Sequence, residues 1–320
     1  MDFLPLCFVK SVLRNFEAKL LNNLKPLSGL WGEVGETYAK KCGSLYLAHS
    51  PYYEEDQRIY YDIHGFYHME ITTLSREVVR EMSKSITSIE FDMIYHTGRE
   101  AIINEWDSID PNDDELIQLL TNLDAPTKKL LLKHPVEFMT KEQLSWYTAK
   151  IPKYYRFLRS FTSVSLHPAI PLFEALLKDM ISTTKLQKVY AIGPASQTIP
   201  NSTWVNYFFS ASCMKLGIYS KDVDLVLSLI GQWKQTDPRS LVRKNFEMSR
   251  IVPDDIINVG LKQIPLEPNY LEILEKVERG ITKHDPYIKT AYRIDHPVDS
   301  NRGIYAVFFQ WGGLCMLLMD

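Results

Sequence analysis

The residues that could do chemistry in this chain are few and scattered. His64 and His68, in His64-Gly65-Phe66-Tyr67-His68, are the close histidine pair. Four-residue spacing joins two metal ligands only on a helix. Gly65 and the surrounding alternation predict strand and turn instead, and no Glu follows His64. Gly32-Glu33-Val34-Gly35-Glu36-Thr37 has the glycine spacing of a phosphate loop but two carboxylates where such a loop has Lys. Phosphate would be repelled there, so the stretch reads as a loop and helix start. No Gly-x-Ser-x-Gly elbow is present. Cys7, Cys42, Cys213 and Cys315 lie far apart without a CxxC, the usage of a reducing compartment, and Cys7 and Cys213 fall on apolar positions. The acidic clusters at 110–115, 222–224 and 254–255 sit at probable helix starts, where carboxylates cap N–H groups and favour the helix dipole. His134, His167 and His296 each precede Pro and read as loop residues at strand ends. The expectation is no catalytic residue, no cofactor and no metal.

Composition sets the class. The chain has 320 residues, 36 Lys plus Arg against 39 Asp plus Glu, a net charge of −3, and 45% apolar residues. That is globular composition, and the acidic balance argues against a general nucleic-acid binder. Met1-Asp2-Phe3-Leu4-Pro5 lacks the basic start of a secretory signal. The apolar run 304–319 is short for a membrane span and contains Gly312-Gly313, so it reads as a buried strand pair. The expected location is cytoplasmic or nuclear, with no membrane partner.

Three regions differ in pattern. Over 1–42, Phe8, Val9, Val12, Leu13 and Phe16 recur at helical spacing, and Pro26 and Gly29 divide the segment into short helices. Over 43–85, alternation predicts strands at 44–48 and 58–63, then a helix over 76–84 capped by Ser75. From 86 to 264 an apolar-x-x-apolar-x-apolar motif recurs. Its copies are Ile86-Ile89-Phe91, Phe161-Val164-Leu166, Leu186-Val189-Ala191 and Cys213-Leu216-Ile218, with weaker ones at Thr127-Leu130-Leu132 and Leu241-Lys244-Phe246. They follow one another at intervals of about 41, 34, 25, 27 and 28 residues.

Helical patterns fill the gaps, at 113–123, 141–150, 171–181, 204–211 and 223–233, with a short helix from Pro253. Strand and helix repeated at this period give an open solenoid or a doubly wound domain. The irregular period favours a degenerate solenoid, and no strand end carries the Gly-rich turn of a dinucleotide site. The segments 287–295 and 304–309 predict a terminal hairpin that could cover the last strand. The many tyrosines, among them Tyr52, Tyr53, Tyr60, Tyr61, Tyr67, Tyr147, Tyr154 and Tyr155, suit either a contact surface or core rings with solvated hydroxyls.

Leu4-Pro5 opens the first apolar stripe, and Ser28-Gly29-Leu30-Trp31 follows about 27 residues after Leu4. This resembles an F-box: a Leu-Pro start, an apolar helix, then Ser/Cys-x-x-Trp. With repeats behind it, the chain looks like the divergent nematode F-box-type proteins. It departs from the family in having Gly29 and Leu30 where basic residues usually precede the Trp. The resemblance implies that Leu4, Pro5, Phe8, Val9 and Leu13 dock on a Skp-type adaptor of a cullin–RING ubiquitin ligase, while Trp31 and Val34 hold the module together. The expected fold class is α/β: an F-box-like helical module over 1–42, then an irregular leucine-rich-repeat-like strand–helix solenoid over 43–320 with a C-terminal hairpin, binding an unknown substrate protein. The alternatives are a plain repeat-type interaction module, its first helices only a cap, and an enzyme whose site is not visible in sequence.

Overall fold

The computed structural model describes residues 6–13, 29–49, 58–71, 73–93, 106–110, 112–132, 141–167, 170–192, 199–219, 221–267, 288–310 and 313–319. The fold is mixed α/β. Two units divide the chain, Met1–Ser165 and Leu166–Asp320. Among the described residues, no helix is long and apolar enough to cross a membrane.

The first unit opens with α1 (Leu6–Leu13) and α2 (Leu30–Lys41). The glycine-spaced stretch from Gly32 to Thr37, read as a loop and helix start, lies inside α2, which begins at Leu30, so no part of it is loop: Trp31, Val34 and Tyr38 keep a helical stripe through both glycines. There follow β1 (Gly43–His49), β2 (Ile59–Gly65), α3 (Arg76–Met82), β3 (Ile86–Met93), β4 (Asp107–Ile109), α4 (Asp114–Thr121), β5 (Thr127–Leu132), α5 (Lys141–Leu158) and β6 (Ser163–Leu166). The strand order is β6–β5–β3–β1–β2–β4. β1, β3 and β5 run parallel, while β2 and β4 extend the edge antiparallel. The helix expected over 141–150 continues through Pro152, because Ile151, Tyr154, Phe157 and Leu158 extend its buried stripe.

The second unit holds α6 (Pro171–Ser182), β7 (Lys188–Ile192), α7 (Asn201–Phe209), β8 (Lys215–Tyr219), α8 (Val223–Gln235), β9 (Lys244–Ser249), a 3-10 turn (Pro253–Val259), β10 (Lys262–Ile264), β11 (Ile288–Asp295), β12 (Gly303–Phe309) and β13 (Leu314–Met319). Its order is β7–β8–β9–β13–β12–β11–β10. β7, β8 and β9 are parallel, and the rest are antiparallel. In each unit the parallel strands add in one direction without reversal, so neither has the switch point at which a doubly wound sheet binds its ligand. Right-handed crossovers then place the helices on one face. Phe91 of β3 meets Tyr154 and Phe157 of α5, and Phe208 of α7 meets Phe246 of β9.

The recurrent motif forms the core side of these strands. Ile89, Phe91, Val164, Leu166, Val189, Ala191, Leu216 and Ile218 are all buried. Register corrects the two weaker copies. Beside Ile89 lies Lys128, not Leu130, and beside Leu216 lies Phe246, not Lys244. A further copy, Cys42-Leu45-Leu47, lies in β1, where Leu45 and Leu47 pair with Ile89 and Phe91. Both lysines point into the core. Lys128 Nζ donates to the Leu123 carbonyl at 2.9 Å and Ser160 Oγ at 2.7 Å. Lys244 Nζ donates to the carbonyls of Phe208 (2.7 Å), Cys213 (3.0 Å) and Ser210. Each ammonium thus satisfies carbonyls beside a helix C-terminus, where the dipole favours positive charge.

The run 304–319 is indeed a strand pair, β12 and β13, and the 287–295 segment pairs with β12 as the expected hairpin. The hairpin does not cover β9, however. β13 pairs antiparallel with both β9 and β12, because Cys315, Leu317 and Met319 continue the helix-side core while Met316 and Leu318 face the other way. On that second face Ile288, Ala291, Val307, Phe309, Met316 and Leu318 form an apolar cluster with Ile264 and Leu266.

Candidate functional site

Among the described residues, two places are considered as partner surfaces: the N-terminal helices, and the sheet face opposite the described helices. Of the five residues implied to dock on an adaptor, Leu4 and Pro5 lie outside the described residues. Phe8 is 48% exposed. Val9 and Leu13 are fully buried with Cys42, packed against Trp31, Val34, Tyr38 and Ala39. Their one-in-four spacing is therefore used to fix α1 on α2, and of the described docking candidates Phe8 is the one presented outward. Trp31 and Val34, which the resemblance implies hold the module together, pack against Val9, Leu13 and Cys42.

In the first unit the second face is built by register. Asp62, Tyr46, Glu90 and Lys129 are successive neighbours across β2, β1, β3 and β5, and His64, Ser44 and Ser88 form the next row. Lys129 Nζ lies 2.8 Å from Glu90 Oε2, and His64 Nε2 2.8 Å from Asp62 Oδ2. The His64 ring meets Tyr46 edge-on at 5.2 Å, and Ser88 Oγ donates to Ser44 Oγ at 2.7 Å. The side chains of Asp62, His64, Glu90 and Lys129 are between 29% and 64% exposed. His64 is thus a strand residue whose ring meets Asp62 and Tyr46; among the described residues no group of three His, Cys, Asp or Glu could hold a metal.

The second unit has a counterpart across β7, β8 and β9. Lys215 Nζ lies 2.5 Å from Glu247 Oε1, and Tyr219 Oη donates to Glu247 Oε2 at 3.4 Å. Tyr190 lies over the Lys215 ammonium at 5.4 Å. Gly217 supports both rings: a Cβ there would stand 3.0 Å from Tyr190 and 3.6 Å from Tyr219. Burial and the Glu247 carboxylate push the Tyr219 phenol up.

The other chemically capable groups are occupied structurally. Asp113 and Asp222 cap α4 and α8, accepting from Leu116 N–H at 3.0 Å and Leu225 N–H at 2.9 Å, and Ser75 caps α3. α7 starts at Asn201 and α8 is capped by Asp222. A cavity of about 570 Å³ beside these helix starts is lined by Asn201, Lys221, Asp222, Val223 and Asp224. Its Asp222 is the α8 cap, and Lys221 pairs with Asp255 at 2.8 Å.

Burial pushes the thiols up, Cys42 and Cys213 to about 11 and Cys315 to about 12, which leaves them protonated and unreactive at neutral pH. Burial also pushes the His49 imidazole down to about 4, with Lys150 adding to the effect. His49 Nδ1 lies 3.2 Å from the Arg58 carbonyl, and its ring meets Trp146 and Tyr154 edge-on. His296 follows β11 as expected, but it is buried: Nε2 lies 3.1 Å from the Thr236 carbonyl, and Nδ1 accepts from Val298 N–H at 3.2 Å. His134, Tyr52 and Tyr53 lie outside the described residues. Tyr61, Tyr147 and Tyr154 are core residues. Tyr147 Oη donates to the Met93 carbonyl at 3.0 Å, and Tyr61 Oη accepts from Leu74 N–H at 3.0 Å. Of that group Tyr67, 81% exposed, is free of the core.

Comparison with known proteins finds no matching family model, no matching curated protein and no matching solved structure.

Proposed function

We propose that this protein is a non-enzymatic recognition module: the sheet face opposite its described helices binds a target protein, and the N-terminal helix pair docks on a Skp-type adaptor of a cullin–RING ubiquitin ligase. In this reading the strand–helix array is an irregular leucine-rich-repeat-like solenoid. The observation that carries the reading is the construction of that face. Polar, aromatic and charged side chains stand on neighbouring strands in register, backed by a packed core, and hydrogen-bond one another. A rigid sheet presenting such side chains suits protein recognition, because little conformational freedom is lost on binding. Tethering a target beside a ubiquitin-charged enzyme would act through effective concentration.

The adaptor contact is tested at Phe8. Replacing Val9 or Leu13 by Asp would place a charge in the α1–α2 core and unfold the module. Phe8→Asp changes an exposed position. Wild-type protein should retain the adaptor through co-purification, and Phe8→Asp should lose it while keeping its circular dichroism and melting temperature. A folded wild type that does not retain the adaptor overturns the ligase link and leaves a repeat module whose first helices are a cap.

A further inference from the structure

We draw no further inference here: the strongest candidate, the apolar cluster on the second face of β11, β12 and β13, is already buried, and nothing among the described residues shows what covers it.

Discussion

Among the described residues, each unit carries a Lys–Glu pair across neighbouring strands on the sheet face opposite its described helices, and the two pairs differ in burial. Glu90 and Lys129 meet at 2.8 Å with 29% and 43% of their side chains exposed. Lys215 and Glu247 meet at 2.5 Å with 9% and 7% exposed, beneath Tyr190 and Tyr219. Chemistry and sheet position are alike, so solvent is the variable. The exposed pair remains in contact with solvent and is screened by it. The buried pair is committed, since neither charge can be left alone in a medium that solvates it poorly. The same contrast appears in the apolar cluster over β11 to β13, where the second face has become a core in its own right.

The largest break in this comparison is Glu247→Ala. Leaving Lys215 buried without its carboxylate should destabilise the second unit by about 3–5 kcal/mol, read from chemical denaturation. A loss under 1 kcal/mol would mean that the pair is as solvated as its counterpart. Next is acid. The folded-state pKa of His49 is depressed to about 4 from an unfolded value near 6.5, so the unfolded chain binds the proton first. Stability is full above pH 6.5 and falls towards pH 4, by about 3 kcal/mol. His49→Phe should remove that part of the slope; an unchanged profile would place the acid sensitivity elsewhere.

Glycines sharpen the contrast further. A Cβ on Gly43 would stand 2.2 Å from the Phe66 ring and 2.5 Å from the His64 carbonyl, and Phe66 itself has φ +53°. Gly43→Ala should cost about 1–3 kcal/mol through that clash. Gly231 lies inside α8 with nothing within 4 Å of its Cβ position. Gly231→Ala should stabilise by about 0.5–1 kcal/mol, as a rise in melting temperature. The smallest effect is Glu90→Gln, under about 1 kcal/mol.

Periodicity made the parallel strands legible because buried β-strands and helices repeat at different periods, and four strong motif copies became β3, β6, β7 and β8. It slipped at β5 and β9 for one reason. Lys128 and Lys244 are core residues, and a pattern of apolar types steps past a lysine to the next Leu or Phe. The first copy, Cys42-Leu45-Leu47, went unread because Cys42 closes the helical segment as well as opening the strand. The insertion of β13 beside β9 joins residues some 65 apart, which no local pattern carries. The site was less legible than the fold. Spacing marked Val9, Leu13 and Phe8 as one stripe, but which of them faces α2 depends on tertiary contact. The Asp62, Tyr46, Glu90 row exists only once three strands are in register.

The place of β13 has a consequence for synthesis. β9 leaves the ribosome with one backbone edge waiting for a strand translated about 65 residues later, a delay of several seconds to over ten at ordinary elongation rates. During that interval the edge, with Phe246 and Met248 behind it, is a template for any strand that reaches it first. Completion of the second unit is therefore a race between its own late strand and its neighbours on the polysome, and holding chaperones would decide its yield.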